Sequence, residues 1–257
     1  MRIVALVVAG AALALVACGD DDDGDATAAG EGDKPRLVVS AAASMTEALE
    51  ECGPEFEHAT VRLQFAGSDE LAAQIRQGVK PDVYAAANTT LPEELKAEGL
   101  LARPVEFATN EFVLAVPKES EIRSIDGLTG DDVKIAIGAE DVPIGSYTRE
   151  TLAQLRAGQE QAILDNVRSN EPDVKGIVGK LTLGAADAGF VYVTDVNGTG
   201  GELEAIELPA ELQPSVTYGA GVVDGAKQPE QAQTFVDQLV DGPCADALEE
   251  AGFGPAP

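Results

Sequence analysis

From Leu37 to the C-terminus, short β-type runs alternate with segments whose apolar residues recur at helical spacing. That alternation points to an α/β architecture and away from an all-β sandwich or a helical bundle, because each helix can then cover an apolar sheet face. Leu37-Val38-Val39-Ser40, Thr60–Phe65, Asp82–Ala86 and Phe112–Val116 read as strands, with helices over Met45–Cys52, Glu70–Gln77 and Leu91–Glu98. After Pro117 a second series begins, with strands over Val133–Gly138 and Ala188–Val193 and helices over Tyr147–Arg156 and Val174–Leu183. Val216–Val223 reads as one more strand, and Glu230–Val240 and Cys244–Ala251 as closing helices. No internal repeat appears, and no linker is long enough to separate independent domains.

Charge narrows the function. Across 257 residues, 45 acidic side chains face 17 basic ones, a formal net charge of −28. Such a chain repels phosphate backbones, so no nucleic-acid partner is expected. The same charge opposes the approach of any small anion and predicts anion association that speeds up as ionic strength rises. Enzyme chemistry finds no footing. The sole histidine, His58, stands in a polar stretch and reads as surface, and no Gly-x-Ser-x-Gly elbow, Cys-His pair or metal-spaced His/Cys cluster occurs. The chain is read as a non-enzyme without a cofactor. The absence of tryptophan disfavours a sugar site, which is usually gripped by stacking.

The N-terminus reads as an address. Met1 and Arg2 precede an uncharged run from Ile3 to Ala17, too short for the ~20 residues that span a bilayer and suited to a signal-peptide core. Its end, Leu15-Val16-Ala17-Cys18, resembles the lipobox of bacterial lipoproteins, in which the peptide is cut before an acylated cysteine. Residues 1–17 are then the signal peptide and Cys18 the lipidation site. The Asp-rich stretch that follows, within 18–36, reads as an extended tether, since like charge without apolar periodicity does not fold. An exported chain sits in an oxidising compartment, so the remaining pair, Cys52 and Cys244, is expected to form one disulfide.

Four strand-to-helix junctions carry the remaining information. Ser44-Met45-Thr46-Glu47 fits a capping box, and Ser68 stands just before the second helix. Val142-Pro143-Ile144-Gly145 and Glu171-Pro172-Asp173-Val174 lead into two more helices. In open α/β sheets ligands bind beyond the carboxyl ends of the strands, where helix N-termini offer unpaired N–H groups and partial positive charge. Convergent junctions of this kind form an anion site without lysine or arginine.

Several of these segments together resemble one family. Ala41–Leu49, Phe65–Ile75, Pro81-Asp82-Val83-Tyr84, Val142–Tyr147 and Gly184–Asp195 are similar, in order, to the periplasmic molybdate-binding proteins of ABC importers, solute-binding proteins that are often lipoproteins. The resemblance runs from about residue 37 to the C-terminus. It implies a two-lobed periplasmic-binding-protein fold of class II type, with mixed sheets flanked by helices and a ligand cleft between the lobes. Lobe one would comprise 37–115 plus 217–257, and lobe two 116–216, which puts Cys52 and Cys244 in the same lobe.

The resemblance also implies the ligand set. Ser44 and Ser68 would donate hydroxyl and backbone N–H from lobe one. Lobe two would supply the backbone N–H of Ile144 and Val174 and the hydroxyl of Tyr192. Val174 is preferred to Val167, in Asn166-Val167-Arg168, because Asp173-Val174-Lys175-Gly176 stands at the family's spacing before Gly189-Phe190-Val191-Tyr192. Asp69 replaces a frequent small hydroxyl residue and is expected to face solvent; Asn88 replaces a frequent Asp. The implied function is capture of molybdate or tungstate, with molybdenum bound only as its oxyanion, and delivery to an ABC permease by a monomer lipid-anchored through Cys18 outside the cytoplasmic membrane. The alternative is another tetrahedral oxyanion, sulfate or phosphate.

Overall fold

In the computed structural model, residues 34–257 are described; the apolar N-terminal run, Cys18 and the acidic stretch through residue 33 lie outside the described residues. Structure begins one residue inside the expected tether, because Arg36 already pairs with Thr60. The chain runs β1 (Arg36–Ala42), α1 (Thr46–Cys52), β2 (Thr60–Ala66), α2 (Ser68–Arg76), β3 (Val83–Ala86), α3 (Thr90–Ala97) and β4 (Val105–Asn110). It continues with β5 (Phe112–Pro117), β6 (Ile135–Gly138), α4 (Pro143–Ala153), α5 (Gln159–Asp165), β7 (Val167–Glu171), α6 (Val174–Thr182), β8 (Ala188–Tyr192), α7 (Val193–Asn197) and β9 (Leu203–Glu207). It ends with β10 (Val216–Val222), α8 (Pro229–Val240), α9 (Pro243–Ala251) and β11 (Gly254–Pro255).

Two sheets organise these elements into two lobes. The first has the order β11-β4-β10-β3-β1-β2, and the second β7-β6-β8-β5-β9. β1 runs parallel to β2 and β3, whereas β10 runs antiparallel to β3 and β4. In the second sheet β6 is parallel to β7 and β8, and β5 is antiparallel to β8 and β9. Both sheets are therefore mixed. The chain crosses between them twice, at Asn110–Glu111 and between β9 and β10. The expected division after residue 115 falls inside β5, which belongs wholly to the second sheet because its whole length pairs with β8 and β9.

Position in the sheet explains the sequence patterns. β3 (Val-Tyr-Ala-Ala) and β6 (Ile-Ala-Ile-Gly) are buried at every residue, as interior strands covered by helices on both faces must be. Edge strand β2 alternates between exposed and half-buried residues. β7 and β9 are the two edges of the second sheet and carry Val-Arg-Ser-Asn-Glu and Leu-Glu-Ala-Ile-Glu, compositions that expose charge along an unpaired edge. One continuous apolar core, containing Leu37, Leu49, Phe112, Leu114, Phe190, Tyr218 and Phe235, joins the lobes.

Two polar features fix the first lobe. Cys52 in α1 and Cys244 in α9 are joined by a disulfide across a sequence separation of 192 residues. Asp82, buried before β3, accepts from the backbone N–H of Val38 at 2.8 Å, Lys227 at 2.7 Å and Gln228 at 2.9 Å. The start of α8 is thereby tied to the sheet by a carboxylate whose oxygens are satisfied, the condition under which burial of such a group is tolerated. His58 is exposed, its ring against the edge of Phe56.

Candidate functional site

Two parallel strands of the first sheet, β1 and β2, end beside one another, and each delivers a serine to the seam between the lobes. Ser44 lies in a single 3-10 turn before α1, and Ser68 is the first residue of α2. From the second lobe, α4 begins at Pro143 with Ile144 in its first turn, and α6 begins at Val174. Tyr192 closes β8. Ser44, Ser68, Ile144, Val174 and Tyr192, all buried, line one tight cavity, together with the small residues Ala42, Ala43, Ala66, Gly67 and Ala87. Val167 is not on its wall; it opens β7.

The cavity has no cationic side chain in its lining. Its polarity comes from hydroxyls and helix-start N–H groups, with the capping carboxylate of Asp173 also on the wall. The first N–H groups of a helix have no partner within the helix. Asp173, the N-cap of α6, accepts from Gly176 N at 2.9 Å and so leaves the N–H of Val174 untouched. In α4 the proline at the helix start has no N–H, and Ile144, next in the first turn, lines the cavity.

The hydroxyls are arranged with equal economy. Ser68 Oγ accepts from Ala87 N at 3.1 Å, and the carbonyl of Ser68 accepts from the Tyr84 hydroxyl at 2.8 Å. Ser44 Oγ lies 2.8 Å from the Tyr218 hydroxyl. The Tyr192 hydroxyl is buried and has no hydrogen-bond partner. Burial, followed by the neighbouring Tyr218, Tyr147 and Asp195, pushes its titration well above the ordinary phenol range, so it keeps its proton and remains a donor. An unpaired buried hydroxyl costs about 1–3 kcal/mol, which a ligand acceptor at this place relieves.

Ser44 does not form the capping box that Ser-x-x-Glu predicts. Its hydroxyl is used by Tyr218, Thr46 Oγ1 bonds to Ala43 O at 2.7 Å, and Glu47 turns to the other lobe. There Lys175 Nζ lies 2.7 Å from Glu47 Oε1 and 3.1 Å from Asp195 Oδ1. Asp195 Oδ2 also accepts from Tyr192 N at 3.2 Å. Burial raises the Asp195 carboxyl to about 6, against the pull of Lys175; burial lowers Lys175, and Asp195 and Glu47 more than reverse this. This ion-paired cluster sits directly behind Val174 and Tyr192 and links α6 to α1 across the seam. Sequence reasoning missed it because its members are 47, 175 and 195, with no local pattern to join them.

Asp69 departs from expectation. Its Oδ1 is buried without a hydrogen-bond partner rather than facing solvent. The carboxylate bends back toward the start of its own helix, where burial raises its titration, the N–H groups of Asp69 and Glu70 oppose that rise, and Asp141 of the other lobe adds to it. It is not part of the cavity wall. Asn88 Oδ1 accepts from Leu91 N at 3.1 Å and so helps to start α3.

The lobes approach so closely here that glycine is required. A Cβ on Gly67 would collide with the carbonyl oxygen of Pro172 across the seam; within the second lobe, one on Gly145 would collide with the carbonyl of Ala139.

Comparison with known proteins gives four findings. The family described as bacterial extracellular solute-binding protein matches residues 37–254. The molybdate-binding protein ModA of Mycobacterium tuberculosis is 33% identical over 256 residues, covering 97% of this chain and 94% of that protein. Among solved structures, the Azotobacter vinelandii periplasmic molybdate-binding protein superposes with a TM-score of 0.75 at 19% identity, over 84% of this chain and 98% of that one. The sulfate-binding protein SubI of M. tuberculosis superposes at 0.73 with 15% identity, over 86% and 87%. The last two likenesses establish a shared fold.

Proposed function

Because the chain belongs to the bacterial extracellular solute-binding protein family, we propose that it captures molybdate or tungstate between its lobes and delivers the anion to an ABC permease. The observation that carries this reading is the cavity itself: three hydroxyls and helix-start N–H groups converge on it, one hydroxyl is buried without a partner, and no cation lines it. Molybdate at neutral pH is a tetrahedral dianion whose oxygens only accept. Neutral donors satisfy it without a buried counter-charge and the desolvation that such a charge costs. Hydrogen phosphate brings a proton that needs an acceptor, and the one carboxylate on the wall, Asp173, has its Oδ1 committed to Gly176 N; sulfate is separated by size alone.

Ser44 and Ser68 bind through hydroxyl and backbone N–H, Ile144 and Val174 through backbone N–H, and Tyr192 through its hydroxyl. Contacts from both lobes favour the closed arrangement that the permease recognises. The reading assigns the protein no catalytic step and no cofactor. The mature protein is a monomer held at the outer face of the cytoplasmic membrane by acylated Cys18, with the acidic stretch as its tether; Cys18→Ser should release it into the soluble fraction.

Isothermal titration tests the binding reading. Molybdate and tungstate should each saturate one site per chain, with sulfate and phosphate much weaker. Absence of saturable binding by both heavy oxyanions would overturn it.

A further inference from the structure

Behind Ser44 a chain of side chains leads away from the cavity. The Tyr218 hydroxyl lies 2.8 Å from Ser44 Oγ and 3.4 Å from Asn110 Nδ2. Asn110 sits at the first crossing between lobes, and its amide is held at both ends. Its Oδ1 accepts from Glu111 N at 2.9 Å, while Nδ2 also donates to Thr194 Oγ1 at 2.9 Å. With the oxygen committed to a backbone N–H, only the donor end of the amide can face Tyr218.

Tyr218 is fully buried. Nδ2 cannot accept, so Ser44 Oγ is the one acceptor among its hydrogen-bond partners for the phenolic proton. One of the two lone pairs of Ser44 Oγ is thus occupied and the Ser44 proton is not spent on Tyr218, so that proton is available to the cavity. Ser68 is held in the same sense by Ala87 N–H, which occupies its Oγ from behind.

From this geometry we infer that Tyr218 and Asn110 are specificity-determining residues: they form a relay that keeps the Ser44 proton free for the ligand, biases Ser44 toward donating and thereby disfavours oxyanions that carry a proton. The inference rests on the oxyanion reading and deepens it. Neither residue touches the cavity; both act by setting the direction of a hydrogen bond that Ser44 would otherwise be free to reverse. A serine released from the relay can rotate and accept from a protonated ligand oxygen, so the loss should appear as relaxed selectivity more than as lost binding.

The probes are molybdate and hydrogen arsenate at mildly alkaline pH, both tetrahedral dianions, of which only the second carries a proton. Dissociation constants for each are measured on the full chain and on two variants. Tyr218→Phe removes the phenolic donor at nearly constant volume, and the preference for molybdate over hydrogen arsenate should narrow by ~10-fold or more. Asn110→Asp puts an acceptor where the donor was. The phenolic proton then turns to the carboxylate, Ser44 turns to Tyr218, and the preference should narrow further while molybdate weakens by roughly 100-fold. The added negative charge acts on both dianions alike, so the ratio reads the polarity change. An unchanged ratio in both variants, with the parent protein binding molybdate, would overturn the relay and leave the binding reading standing. Failure of the parent protein to bind molybdate would overturn both.

Discussion

The two lobes contribute to the same cavity by different means. The first lobe offers hydroxyls as well as backbone: Ser44 and Ser68, whose oxygens are met from behind by the Tyr218 hydroxyl and Ala87 N–H. The second offers mainly backbone, the N–H groups of Ile144 and Val174, whose side chains are buried in the core, with the Tyr192 hydroxyl as its one side-chain donor. The first lobe is also stapled by Cys52–Cys244, and the described residues contain no disulfide in the second. Backbone donors survive most substitutions, whereas hydroxyl donors are lost with one atom. The site is therefore chemically fragile on one side and geometrically fragile on the other.

The largest expected effect breaks the staple. Cys52→Ser with Cys244→Ser should lower the stability of the folded chain by ~2–5 kcal/mol. Urea melts followed with a probe in each lobe should show the first lobe losing more; equal losses would mean that the lobes unfold as one unit.

Next come paired substitutions that delete one donor from each side. Ser44→Ala and Ser68→Ala should each weaken molybdate binding by ~1–3 kcal/mol. On the second lobe a conventional substitution leaves the N–H in place, and proline is the informative choice. Val174 is the first residue of α6, where proline breaks no intrahelical bond, and Asp173 before it is extended, as a residue preceding proline prefers. Val174→Pro should thus keep the helix and match the serine variants in lost affinity. Val174→Ile should bind within a few-fold of the parent; a loss equal to that of the proline variant would show that side-chain packing at this position, not its N–H, governs binding.

Tyr192→Phe separates binding from folding. It removes a donor and should weaken binding by ~1–3 kcal/mol, yet the unliganded protein should be no less stable, because the hydroxyl has no partner to lose. A thermal melt without ligand that falls by several degrees would contradict this. The smallest effect belongs to the seam: Glu47 is half exposed, so Glu47→Gln should cost ~0.2–1 kcal/mol of binding, and less at high salt. No change at low salt would remove the ion pair from the account of closure.

Much of this was legible in the chain. The alternation of strand and helix patterns fixed the class, and the junctions at Ser44, Ser68, Ile144 and Val174 stood where sheet ends and helix starts meet. Unread elements share a physical cause. β7 and β9 are edge strands whose charge hides the apolar alternation, β4 carries the polar pair Thr109-Asn110, and α5 and α7 are too short for helical periodicity to register. Ser44 read as a helix cap because local spacing permits it, but a tyrosine 174 positions away claims the hydroxyl. Asp69 was expected in solvent because an ionised carboxylate resists burial. The structure instead tucks it against its own helix start, at the cost of a raised titration. Directions of hydrogen bonds, unlike the residues that make them, are set by tertiary contacts that no local pattern encodes.

The most direct test of the central claim is a melting series on the full chain with molybdate, tungstate, sulfate and hydrogen phosphate. Either heavy oxyanion, at a thousand times its dissociation constant, should add ~4 kcal/mol of stability. Hydrogen phosphate at the same concentration should add little. No shift with molybdate or tungstate at millimolar concentration, or an equal shift with hydrogen phosphate, would contradict a cavity built of donors for a fully deprotonated dianion.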